Sequence, residues 1–249
     1  MTTTSTPKIS AISLALWVGV ICYVGLLLLS PPSWLPGEPV WAIKPETLQE
    51  IFDESLNFFF VLPILNHLGL NLLSAPVVHP ASEAFFNVAE AWIFMFLPLI
   101  LRDAKGRHLP QVAIWSLAMF LTNVFLMPYM ALRREARLQD TAVPGWVEKL
   151  FGLIGLVVGT LAVGWFVFAR PAFGGLDDRG AYFIQQVLSN RVTLAFCVDL
   201  GLFWLFQTWL MGAVMATGAP RRWLRWVPLW GLALWLLDDC SRDSATIKM

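Results

Sequence analysis

Glu83, Asn87, Glu90, Asn123, Asp199 and Gln207 each interrupt a run of apolar residues. A carboxyl or carboxamide in such a run is costly inside a membrane, so it marks either an interhelical hydrogen bond or a functional group. Glu83, Asn87 and Glu90 recur at i, i+4 and i+7, the spacing of one helical face. Asn57 and Asn71 add two amides to a less regular stretch, with Asp53 and Glu54 just ahead of it. Such groups can move a proton, hold a lipid-soluble ligand, or satisfy one another. Glu90 and Asp199 are the ionisable members expected at mid-membrane, and hence the candidates for a general acid or base. Asn57, Glu83, Asn87, Glu90, Asn123, Asp199 and Gln207 form the candidate ligand-binding set.

Other chemistries lack their residues. A retinal protein needs a Schiff-base lysine within a late span, and no lysine stands in the interior of one. Three histidines cannot supply the histidine boxes of a membrane di-iron oxygenase, and Asp238-Asp239 stands alone where a prenyl diphosphate site needs paired acidic motifs. GxSxG, HExxH and Walker patterns are absent. His67 has no histidine partner at helical spacing and reads as a packed residue rather than a haem or chlorophyll ligand; no metal site is expected. Cys22, Cys197 and Cys240 are too scattered for a disulfide framework. A formal net charge of zero gives no sign of a nucleic-acid partner.

The elements that must position these groups are membrane helices. The chain is 57% hydrophobic and only 14% charged, with a mean hydropathy of +0.66, whereas a soluble domain carries about 25% charged residues. The lipid bilayer is therefore the expected solvent. Apolar runs near residues 9–29, 83–101, 109–132, 147–169 and 192–214 reach the roughly 20 residues a crossing requires. Residues 56–73, broken by Pro63, and the short run 223–237 are further candidates, and either could be re-entrant or interfacial. The expected architecture is all-α: a single transmembrane domain over 1–249, a polytopic bundle of six or seven spans without a large soluble domain.

Counting residues at 1.5 Å from the loop at 102–108 places Glu90 about 16 Å deep and Asn123 about 21 Å deep. With either six or seven spans residue 192 is expected to begin on that same side, which places Asp199 about 10 Å and Gln207 about 22 Å in. The polar residues are thus expected to converge on one mid-membrane pocket. In a seven-span arrangement Lys and Arg divide almost evenly between the two sides, so the positive-inside rule leaves orientation open. Gly152, Gly155 and Gly159 make a small-xxx-small stripe that predicts close helix packing, and Pro98 and Pro128 predict kinks.

Several stretches carry a resemblance. Asp53-Glu54-Ser55-Leu56-Asn57 with Leu62-Pro63, His79-Pro80 leading to Glu83-Ala84-Phe85-Phe86-Asn87, Thr122-Asn123, and Pro128-Tyr129-Met130-Ala131-Leu132-Arg133 are similar to a family of multi-pass membrane proteins of cyanobacteria and plant chloroplasts, a domain of unknown function. Phe196-Cys197-Val198-Asp199-Leu200 and Phe206-Gln207-Thr208-Trp209-Leu210 resemble its late helix. The resemblance covers roughly residues 50–214 and implies a photosynthetic membrane, the thylakoid or the plasma membrane of a cyanobacterium. The function expected is a binding or auxiliary protein that handles a pigment or lipid and contacts other membrane proteins. The alternatives are an enzyme acting on a carotenoid or other isoprenoid, with Glu90 or Asp199 as acid or base, and a small proton-coupled transporter.

Overall fold

The computed structural model describes residues 10–134 and 143–238; Ile9, at the start of the first expected span, and Cys240 lie outside them. The described residues form helices α1 (Ala11–Tyr23, continued by a π-helical turn, Val24–Leu29), α2 (Pro45–Leu56), α3 (Val61–His67), α4 (Pro80–Arg102), α5 (Gln111–Leu121), α6 (Asn123–Leu132), α7 (Gly145–Phe168), α8 (Leu176–Ser189), α9 (Arg191–Val214) and α10 (Trp230–Leu237), with no strand among them. Their boundaries follow local chemistry. Ser10 accepts from the Ser13 amide to cap α1. Pro80 opens α4 behind a His79 cap, and Asn190 accepts from the Val192 amide to cap α9. Each device satisfies amides that a helix start leaves unpaired.

Four helices are long and apolar enough to cross a membrane: Ala11–Leu29, Pro80–Arg102, Gly145–Phe168 and Arg191–Val214. Of these, α4 is the axis, with 67% of its most apolar stretch buried against 11% for the first helix. Side-chain pairs along α4 fix the directions of its neighbours. Glu148 meets Arg102, Phe151 stacks on Phe94 and Trp165 reaches Glu83, so α7 runs antiparallel to α4. Phe196 packs on Phe85, and Phe203 and Gln207 meet Trp92, so α9 runs parallel to it. The bundle consequently has an Arg102 end and an Arg191 end. In α1, Ser13 donates to the Ala131 carbonyl and Tyr23 lies beside Thr122, which starts α1 at the Arg102 end.

The other three expected spans each leave and return at one end of the bundle. Residues 109–132 divide into α5 and α6 at Thr122, whose φ of 35° breaks the helix. Gln111, at the start of α5, donates to the Ile100 carbonyl. At the close of α6, Tyr129 and Arg133 both bond Asp103, and the Arg134 amide bonds Lys105. This is a hairpin about 16 Å deep, from 11 residues at 1.5 Å each. Residues 222–238 make a second hairpin from the same end. The turn Arg222–Trp226 lies along α9, the chain reverses at Leu229 (φ 55°), and α10 returns along α7 until Asp238 pairs with Arg221. Residues 57–76 form a third excursion, at the Arg191 end, closed where Asn57 Nδ2 donates to the Pro76 carbonyl at 3.0 Å.

Among the described residues four helices, rather than six or seven, have the length and apolarity of a crossing. A run's apolarity and length say nothing about a reversal inside it, and Thr122 and Leu229 reverse the chain within apolar sequence. The reversals change parity as well: α9 starts at the end opposite the loop 102–108, not beside it. Pro98, by contrast, lies within an α4 that continues through it to Arg102.

The glycine stripe of α7 is where the second hairpin docks. A Cβ at Gly152 would meet Leu236 Cβ at 2.8 Å and the Ala233 carbonyl at 2.9 Å, and one at Gly159 would meet Leu229 at 2.6 Å. Because Ala233 O is backbone, it cannot swing aside. Gly152→Ala should push α10 off α7 and lower stability by about 1–3 kcal/mol, read as a fall in melting temperature in detergent.

Candidate functional site

The polar residues picked out by sequence separate into three groups. The first centres on Asp199, 3% exposed in α9. Its Oδ1 accepts from the Tyr23 hydroxyl at 2.7 Å and from Asn123 Nδ2 at 2.6 Å, and its Oδ2 accepts from the Thr122 hydroxyl at 2.7 Å. Three donors from α1 and from the tip of the first hairpin thus converge on one carboxyl group, which has about four acceptor positions. Asp199 lies about 12 Å below Arg191, and the hairpin tip about 16 Å from the opposite end. The two depths together match the roughly 30 Å of a hydrocarbon core.

The second group centres on Gln207, two turns further along α9 and fully buried. Its Oε1 accepts from Trp92 at 2.8 Å, while its Nε2 donates to the carbonyls of Arg225 and Val227 at 3.2 and 2.8 Å. Thr208 and Trp204 bond the Arg225 and Trp226 carbonyls in the same way. Irregular backbone at membrane depth is tolerated where protein covers it, and α9 provides that cover. Asp199 and Gln207 each hold the tip or approach of one hairpin.

The third group lies at the head of α4. Glu83, fully buried, accepts from Trp165 Nε1 at 2.8 Å and pairs with Arg170 at 3.2 Å. Asn87 Nδ2 donates to the Glu83 carbonyl at 2.8 Å and the Asn57 carbonyl at 3.3 Å. Asn57 and Asn87 are both 0% exposed, and the Oδ1 of each has no hydrogen-bond partner; nor has Arg170 Nε. Just ahead, Glu54 ends α2 in a buried position. Burial, then Glu50 and Glu83, push its carboxyl up to about 8. Outside this group is a cleft of about 630 Å³ lined by Glu46, Gln49, Glu50 and Asp53 of α2 and by Val78, His79 and Tyr182. His79 stacks on Tyr182 at 3.5 Å, and burial, then Arg179, lower its basicity.

One shared mid-membrane pocket does not form. Depths counted from loop 102–108 fail for α9 because it runs parallel to α4, so Asp199 and Gln207 are reached from the other end. Glu90 is partly exposed and joins none of the three groups. Asn71 is exposed and apart from buried Asn57. His67 and His108 are exposed, and no three of His, Cys, Asp and Glu gather as a metal site among the described residues.

Sequence reasoning missed the donors and the clamps. Tyr23 and Thr122 carried no polar-in-apolar signal of their own, although Thr122 adjoins Asn123. Arg179 is buried and bonds the last carbonyls of α7, Phe166 and Ala169, the role a basic side chain plays at a helix C-terminus. Arg191 gathers the Ser30, Leu35 and Pro36 carbonyls at 2.6, 2.8 and 3.2 Å. No family model matches the chain, and no curated protein or solved structure matches it either.

Two outcomes follow from these environments. Asp199→Ala strands three donors, and a buried unsatisfied group costs about 1–3 kcal/mol; the variant should melt well below wild type and admit protease at the 111–132 hairpin. Glu54 titrates higher in the folded chain than in the unfolded one, so its neutral form is favoured by folding. Its contribution is fully present below the ordinary carboxyl range and is lost as pH rises through about 8. Melting temperature should decline over that window, and Glu54→Gln should flatten the decline.

Proposed function

We propose that the chain is an integral membrane binding or auxiliary protein that crosses the bilayer four times, with both hairpins dipping in from the Arg102 end. Charge supports this topology over six or seven crossings. Among the described residues the Arg102 end gathers nine basic residues, namely Arg102, Lys105, Arg107, Arg133, Arg134, Lys149, Arg221, Arg222 and Arg225, against three acidic ones, Asp103, Glu148 and Asp238. The Arg191 end carries four basic residues, Lys44, Arg170, Arg179 and Arg191, against eight acidic ones, Glu38, Glu46, Glu50, Asp53, Glu54, Glu83, Asp177 and Asp178. The tie seen under seven spans becomes a clear asymmetry, and the positive-inside rule sets the Arg102 end on the cytoplasmic or stromal side.

The binding reading rests on one observation. At mid-membrane Asp199 and Gln207 are engaged as structural latches, with Asn123 Oδ1 and Arg225 Nε single unpartnered atoms beside them, whereas at the head of α4 three buried atoms, Asn57 Oδ1, Asn87 Oδ1 and Arg170 Nε, have no partner among the described residues. Binding is assigned to that head and the cleft beside it, where such atoms are most numerous. The resemblance to cyanobacterial and chloroplast membrane proteins supports a photosynthetic membrane, with a pigment or lipid as the companion molecule. A second reading has its own support: Glu90 is a carboxyl within a membrane-length helix with no hydrogen bond or ion pair to the described residues, which suits a general acid or base acting on an isoprenoid.

Topology is tested with single cysteines after Cys22, Cys197 and Cys240 are replaced by serine. Ser189→Cys should react with an impermeant maleimide in intact cells, and His108→Cys only after permeabilisation; equal labelling of both would restore the crossing at 109–132. For function, mass spectrometry of lipophilic molecules co-purifying in mild detergent should find a pigment or lipid retained in Glu90→Gln. Turnover of a supplied isoprenoid, lost in that variant, would favour the enzyme instead.

A further inference from the structure

The head of α4 carries an excess of oxygen acceptors. Asn57 Oδ1 and Asn87 Oδ1 are buried without a donor, and the two residues are locked together, because Asn87 Nδ2 bonds the Asn57 carbonyl at 3.3 Å. The amide orientations are fixed by that bond and by the bonds from Asn87 to the Glu83 carbonyl and from Asn57 to the Pro76 carbonyl, so the oxygens cannot be exchanged for nitrogens without losing them. Glu83 is balanced by Arg170. Glu54, one helical turn before Asn57 and buried, has no cation paired with it among the described residues. The charged and titratable groups around it are Glu50 and Asp53 on α2, Glu83 on α4, Arg170 beyond α7, and His79 and Tyr182 flanking the cleft. The residues that line the cleft are chain neighbours of this group: Glu50 and Asp53 precede Glu54 on α2, and Val77 and Val78 follow the Pro76 carbonyl that Asn57 holds.

We infer that Glu54, Asn57 and Asn87 form a binding site for a single monovalent inorganic cation, reached through the acidic cleft. The donor set is all oxygen, which suits a hard cation rather than a thiophilic or imidazole-binding metal. Its one uncompensated carboxylate balances one positive charge, and no third acidic or histidine ligand gathers there, as a divalent ion would favour. This assignment rests on placing binding at the head of α4.

The test is thermal unfolding of the full-length protein in detergent at constant ionic strength and pH, in sodium chloride, potassium chloride or choline chloride. Sodium or potassium should raise the melting temperature by about 3 °C or more over choline, which corresponds to roughly 1 kcal/mol of linkage for a chain of this size. Glu54→Gln should abolish the cation-dependent gain while melting in choline at least as high as wild type, and Asn87→Ala should weaken it if that variant folds. Equal melting in all three salts, or a gain that survives Glu54→Gln, overturns the assignment. Either result leaves the four-crossing reading intact if Ser189→Cys and His108→Cys still label on opposite sides. Loss of that labelling pattern identifies failure of the broader reading instead.

Discussion

The Asp199 carboxyl group accepts hydrogen bonds from Tyr23 of α1 and from Thr122 and Asn123 at the tip of the first hairpin, tying both to α9. A hairpin that stops at mid-membrane exposes the polar backbone of its tip to hydrocarbon, and its non-glycine Thr122 sits at positive φ, a strain of about 1–3 kcal/mol. Only a partner waiting at that depth makes the reversal stable. Asp199 provides it, and the mouth of the hairpin is closed by Asp103, which binds both Tyr129 and Arg133. Tip and mouth together hold a segment that would otherwise be long enough to continue across.

The second hairpin repeats this solution with neutral groups. Leu229 at its tip also has positive φ, and the carbonyls of the approaching turn are covered by Gln207, Thr208 and Trp204. The mouth is again an arginine–carboxylate pair, Arg221 with Asp238. Helix α9 thereby serves as the post for both hairpins, and α4 as the wall behind it, with Trp92 tying the two together. Small residues on α7 let α10 approach closely enough for this packing. The polar side chains of the bundle interior are thus mostly architectural. They permit irregular backbone in an apolar medium.

Function is pushed by the same logic toward the ends of the bundle. At mid-membrane the Asp199 carboxyl and the Gln207 amide are each fully engaged, although Asn123 Oδ1 and Arg225 Nε beside them have no partner among the described residues. At the head of α4 the matching fails for Asn57 and Asn87, under a cleft rich in carboxylates. The two consecutive left-handed residues Phe59 and Phe60 follow one residue after Asn57, past Phe58. That conformation is disfavoured for any residue with a Cβ, and it turns the chain so that Asn57 can face both Pro76 and Asn87.

The membrane character, the helical class and several of the buried polar residues were legible in the sequence, because apolar run length and polar interruption are local properties. Four runs, near 9–29, 83–101, 147–169 and 192–214, correspond closely to the four membrane-length helices, and Asn123, Asp199 and Gln207 are indeed buried and bonded. Whether a long apolar run crosses or turns back was decided only in three dimensions. Thr122 has no turn signature of its own and Leu229 only the Pro228 before it, and their backbone is set by side chains some 70 residues distant or by a neighbouring helix. One misplaced reversal inverts the direction of every later helix, so depth, partnership and charge sidedness could be read only once the hairpins were seen to return.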